Sequence, residues 1–231
     1  MTQNIDWPQP PQMGQSPIRL CVPIWTYDDR YTGQPIVPHV ILGPYNLMRK
    51  RAYLESQGIS HVLCIRDPSE QRFLRAIDGT EVQFTFMDVP ADVSKENIIP
   101  HFVQFNHTLA ASIGEQRNVL VCCSDGIDKS SAFVAAYLMS TYGLKALDAV
   151  TFIQNHRYCA TPSANGYRIK LIEYEPICAA QRDVGAGSLK NSRKRMDDDT
   201  GDGAQRGGAG DLPEDGRSRP IAPMPSSKRA R

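Results

Sequence analysis

The run from Val119 to Ser131 constrains this chain more than any other. Val119-Leu120-Val121 is of strand type and stops at Cys122-Cys123. Ser124 to Asp128 make a short loop containing Gly126, and a helix-forming run from Ala132 to Met139 begins after Ser130 and Ser131. Strand, tight loop and helix start form an anion-binding geometry. The loop N–H groups converge, and the unpaired amides and dipole of the following helix add partial positive charge. A cysteine at that point tends towards thiolate. The alternative reading of the run is ordinary core, with Cys122 and Cys123 as two small buried residues.

The rest of the chain sets limits around that run. Its 231 residues, net charge of +1 and 22% charged residues fit one soluble domain with appendages and give no case for nucleic acid. The cysteines (Cys21, Cys64, Cys122, Cys123, Cys159, Cys178) are scattered, without C-x-x-C spacing. Met1 to Pro11 is polar and proline-rich, so neither a zinc site nor a secretory signal is expected, and the compartment is read as reducing. No apolar run approaches the roughly 18 residues that span a bilayer, so no membrane partner is expected. His101 and His107 share a helix at the wrong spacing for ligands, and His39, His61 and His156 read as strand or helix-end residues; no metal or other cofactor is expected.

In chain order, residues 1–22 read as a flexible lead-in, rich in proline and glutamine before the chain turns apolar at Ile18. Trp7 is read as exposed, with anchoring on the domain or a partner as the alternative. His39 to Leu42 is the expected first strand, closed by Gly43-Pro44 as a turn. Tyr45 to Gln57 is an expected helix with Gly58 as its C-cap, and His61 to Ile65 a strand buried on both faces. Val82 to Met87 is a further strand, and the residues from Glu96 to Ile113 have helical spacing. Ala132 to Tyr142 is a nearly all-apolar helix and hence core. Lys145 to Arg157 is expected to pack through Leu147, Val150, Ile153 and Phe152, and Gly166 to Ala180 through Tyr167, Ile169, Leu171, Ile172 and Tyr174. From Asp183 to Arg231 the composition is that of a disordered tail, with basic clusters at 190–195 and 228–231 that read either as nuclear import signals or as solvating charge.

Cys123, five residues, Lys129 and Ser130 resemble the signature loop of cysteine-dependent protein phosphatases, whose pattern is His, Cys, five residues, Arg, then Ser or Thr. Two positions depart from it: Cys122 stands for the histidine and Lys129 for the arginine. Trp25-Thr26-Tyr27, Ile41 to Tyr45, Gly58 to His61 and Cys64-Ile65-Arg66 resemble the STYX-like (serine/threonine/tyrosine-interacting) pseudophosphatase branch of the dual-specificity phosphatases. The resemblance implies one α/β domain over residues 23–182, with a mostly parallel sheet, helices on both faces and the loop at the carboxyl end of a central strand.

It also implies roles. Cys123 takes the nucleophile position, Ser130 the hydroxyl that assists departure of the thiolate, and Cys123, Ser124, Asp125, Gly126, Ile127, Asp128 and Lys129 form the phosphate-binding loop. Asp92 takes the general-acid position, with Asp88 as the alternative, and Asn165 is the candidate for the asparagine that pins the loops. Lysine cannot reproduce the bidentate hold of arginine on a phosphoryl group. A charged hydrogen bond is worth about 1.5–3 kcal/mol, or about 10- to 150-fold in rate. Asp125 and Asp128 are expected to repel a phosphate dianion and to raise the cysteine pKa.

The expected function is therefore a catalytically impaired phosphatase that binds signalling phosphoproteins. The resemblance suggests MAP-kinase and ubiquitin-ligase pathways as partner classes, in the cytoplasm with the nucleus as a second location. The alternatives are a weakly active dual-specificity phosphatase using Cys123 and, third, a redox-responsive scaffold using Cys122-Cys123.

Overall fold

The computed structural model describes residues 5–13, 15–17 and 25–197. The apolar residues at 18–24 and the terminal basic cluster lie outside the described residues. Contacts divide the chain at Ser188, and of the unit that begins at Leu189 the described part, up to Asp197, is helical.

Among the described residues five strands make one sheet in the order β1-β2-β5-β3-β4. They are β1 (Gln34–Val37), β2 (Val40–Pro44), β3 (Ile59–Arg66), β4 (Gln83–Asp88) and β5 (Asn118–Cys123). β2, β5, β3 and β4 are mutually parallel, and only β1 runs against its neighbour. β5 is central and its Val119 to Cys123 are buried, which is why its sequence is continuously apolar rather than alternating. The helices are α1 (Arg51–Ser56), α2 (Ile99–Gly114), α3 (Lys129–Tyr142), α4 (Ala146–His156) and α5 (Tyr167–Asp197). The larger core lies between the sheet and α2 to α5, where the Phe133 ring meets Phe102 and Phe105 edge-on at 4.9 and 5.3 Å. A smaller core joins α1, Leu47, Met48 and the opposite sheet face, so helices cover both faces. α3 is buried from Ser130 to Met139 and stops at Gly143, left-handed at φ 71°.

Several local expectations are corrected. The first strand is β1, not the segment at His39. Pro35 and Pro38 argue against a strand, but an edge strand tolerates proline. His39 itself turns the β1–β2 hairpin at φ 68°. Gly43-Pro44 is not a turn; it completes β2 and pairs with Cys122 and Cys123. The helix expected from Tyr45 is broken at Lys50 into a 3-10 turn (Tyr45–Arg49) and α1. Leu147 is exposed, because the buried stripe of α4 runs through Ala146, Ala149, Val150, Phe152 and Ile153. Ile169 and Ile172 are exposed too; α5 buries Tyr167, Leu171, Tyr174 and Cys178, a true 3.6-residue stripe. α5 runs from Tyr167 past Ala180 to Asp197. In the lead-in, Trp7 packs on the smaller core, its ring 5.8 Å from that of His39.

Candidate functional site

The signature run leaves the carboxyl end of β5, loops through Ser124 to Asp128 and enters α3 at Lys129. The loop folds tightly because Gly126 adopts φ 69° and lies on the β2 backbone, where a Cβ would come within 2.4 Å of the Gly43 carbonyl carbon. Only glycine satisfies both conditions.

The underside of the loop is held by Arg157, at the end of α4, which has no exposed surface. Its Nε donates to the Gly126 carbonyl at 2.9 Å and its Nη2 to the Arg30 carbonyl at 2.9 Å and the Asp125 carbonyl at 3.4 Å. Its Nη1 donates to the Thr32 carbonyl at 2.9 Å and to Gln34 Oε1. With those carbonyls drawn down, amides turn inward. The Gly126 N–H donates to Cys123 Sγ at 3.3 Å, and the Asp125 and Ser130 N–H groups also favour the thiolate. Ser130 Oγ lies 3.2 Å from the same sulfur. Arg157 was invisible as a site residue in the sequence, where an arginine at a helix end reads as a charge placed on the dipole.

The charged side chains work against anion chemistry. Lys129 does not face the cradle. Its Nζ lies 2.8 Å from both Asp67 Oδ2 and Glu70 Oε1, contributed by the segment after β3, and all three side chains are 15–17% exposed. Burial alone would lower the Lys129 pKa, but the Asp67 and Glu70 hydrogen bonds more than offset it. Asp125 Oδ1 accepts the Ile127 N–H at 2.8 Å and sits 3.4 Å from Cys123 Sγ. Burial, then the Asp125 carboxylate, push the Cys123 thiol up, against the pull of Ser130. Both causes favour the protonated thiol, and Cys123 has no exposed surface. Cys122, at the family's histidine position, points into the smaller core, with Sγ 3.9 Å from Met48 Sδ.

Two expectations about this loop need correction. Asp128 does not face the cradle: its Oδ1 accepts the Ser163 N–H at 2.8 Å, tying the loop to the segment after α4. Asn165 does not pin anything; it is exposed and makes no hydrogen bond among the described residues, and the Thr161 N–H to the Ile127 carbonyl at 2.9 Å does that work with Ser163.

Asp92 lies in an exposed loop after β4. Its carboxylate accepts from Lys95, at 2.8 Å, and from the Ser94 N–H and hydroxyl, which together hold its pKa at about 2. These contacts favour the ionised carboxylate, the form that accepts rather than donates a proton. Asp88, the alternative, is paired with Arg66 at 2.6 Å. Among the described residues no group of three or more His, Cys, Asp or Glu is placed to hold a metal ion.

Comparison with known proteins agrees with this geometry. Residues 40–177 match the family described as dual specificity phosphatase, catalytic domain. The human serine/threonine/tyrosine-interacting protein is 34% identical over 193 residues, covering 75% of this chain and 86% of that protein. The mouse protein of the same name is 36% identical over 159 residues, 68% and 70% of the two chains. The crystal structure of the human tyrosine phosphatase-like serine/threonine/tyrosine-interacting protein superposes with a TM-score of 0.58 at 36% identity, over 63% of this chain and 96% of that one. With a strand, cysteine loop and helix on a mostly parallel sheet, and with those relatives, the chain belongs to the dual-specificity phosphatase family, in its serine/threonine/tyrosine-interacting branch.

Proposed function

We propose that this domain is a pseudophosphatase: a phosphatase fold that binds signalling proteins and transfers no phosphoryl group at a useful rate. One observation carries the reading. Lys129, at the position of the arginine that grips the phosphoryl oxygens in the family, spends its charge on Asp67 and Glu70. Without that cation, the charge of a phosphoryl transition state has no mobile counter-charge in the loop. The covered Cys123, favoured as the thiol, and Asp92, favoured as the carboxylate, support the same conclusion, since nucleophile and acid are each biased towards the wrong protonation state.

Cys123 then occupies the nucleophile position, Asp92 the acid position and Ser130 the hydroxyl position as inherited geometry. The partner class is protein, in keeping with relatives named serine/threonine/tyrosine-interacting protein. Phosphorylated signalling proteins, MAP kinases among them, are the first candidates, in the cytoplasm or nucleus. The test is turnover of a small aryl phosphate by the native chain and by Cys123→Ser, beside binding of a MAP kinase in its phosphorylated and unphosphorylated forms. The expected result is turnover at the buffer rate for both chains, with saturable kinase binding. Cys123-dependent turnover near that of an intact family enzyme would sink the proposal.

A further inference from the structure

The loop around Cys123 keeps the backbone of an oxyanion cradle and holds an anion of the chain's own. The frame is built: Arg157 ties the Gly126 and Asp125 carbonyls beneath the loop, Gly126 lies left-handed on Gly43, and the amides of Asp125, Gly126 and Ser130 face the cysteine sulfur. Of the loop's charged side chains, Lys129 is turned to Asp67 and Glu70, and Asp128 to the Ser163 amide. Asp125 alone is directed at the sulfur. Its Oδ1 takes the Ile127 N–H at 2.8 Å and stands 3.4 Å from Sγ, where the cysteine has no exposed surface left. Beside it, Ser124 and Asp125 line an open cavity of about 300 Å³ with Arg30, Tyr31, Tyr45 and Asn46, so the loop is reachable from solvent although its sulfur is not.

We propose that Asp125 is the specificity-determining residue of this loop: its carboxylate stands in for a ligand oxyanion and excludes phosphate and phosphorylated side chains from a cradle that is otherwise formed. This rests on the non-catalytic reading above and adds its cause. The loop is shut by a side chain of its own, and a protein partner is therefore met by the surface around the loop rather than by a phosphate held in it.

Calorimetric titration of tungstate into the full chain tests this, with Asp125→Ala and Asp125→Asn beside the native sequence. Tungstate is a tetrahedral dianion that needs no turnover. Removing a like charge from contact with it tightens binding by at least about tenfold in Asp125→Ala. Asp125→Asn keeps shape and acceptor without charge and falls between. Native binding as tight as that of Asp125→Ala would overturn the proposal. If the alanine variant does not fold, the asparagine variant decides: a gain in tungstate affinity supports the assignment and no gain removes it. Aryl-phosphate turnover on the same three proteins separates the two claims. Turnover by the native chain sinks the non-catalytic reading, whereas no turnover together with no tungstate gain sinks only the role of Asp125.

Discussion

The two sides of the signature loop have opposite characters. Beneath it, Arg157, Gly126 and Gly43 hold the backbone through contacts between chain segments far apart in sequence, and every nitrogen of the Arg157 guanidinium has a partner. Above it, the charged side chains are committed within the chain: Lys129 to Asp67 and Glu70, Asp92 to Lys95, with Asp125 beside the cysteine sulfur. Frame and chemistry are separable because they depend on different atoms. The frame uses carbonyls, amides and the space a glycine leaves, and its loss is a loss of fold. The chemistry uses side-chain tips, and its loss leaves those backbone contacts in place.

The sharpest way to break that comparison is to attack the frame. Arg157→Met removes the donor from the buried Gly126 carbonyl and from the part-buried carbonyl contacts of Arg30 and Thr32, and lowers stability by about 3 kcal/mol in denaturant unfolding. Arg157→Lys does not rescue it, because one ammonium cannot replace the planar fork. A loss below about 1 kcal/mol, the net worth of one ordinary hydrogen bond, would show that the loop holds itself.

Next in size is an acid effect at the Lys129 clamp. Burial alone would raise the Asp67 pKa, yet hydrogen bonds from Lys129 and Ser69 bring it down to about 2 from an ordinary value of 3.8. A carboxyl lowered in the folded state adds stability that is present above its unfolded pKa and lost as pH falls through the folded one. Thermal unfolding between pH 5 and pH 2, values that bracket the Asp67 shift, therefore loses part of its steepness in Asp67→Asn. An unchanged slope would mean the clamp carries no folding energy.

Smaller changes are expected at the open side. Lys129→Arg leaves aryl-phosphate turnover within about threefold of native, because a guanidinium fits the Asp67 and Glu70 carboxylates better than an ammonium does and stays with them. Adding Cys122→His does not help, since the side chain enters the apolar contact with Met48. A large gain from either would place the whole defect in the signature residues themselves. Asp92→Asn is the smallest change of all, with no effect on turnover or partner binding; a measurable drop in turnover would make the exposed aspartate a working acid after all.

The sequence exposed the frame in outline. The continuous apolar runs at Val119 and Val62, the all-apolar run after Ser131 and the glycine caps mark parallel strands and a buried helix, because each follows from local spacing. What stayed hidden was pairing at a distance. Nothing near Lys129 in sequence announces Asp67 and Glu70, nothing near Arg157 announces Arg30 or Gly126, and Asp125 and Asp128 look equivalent until one is seen to turn in and the other out. The β1 edge strand was hidden by its prolines, which local propensity cannot excuse.

Arg157 also bears on how the chain reaches its fold. The guanidinium joins residues 125 and 126 of the loop to residues 30 to 34, segments 91 to 96 positions apart in sequence. Contacts of that span pay their loop-closure entropy before they return anything. The final shape of the signature loop therefore requires both the segment leading into β1 and the end of α4 to be in place, and it is set by the whole domain rather than by the loop's own residues.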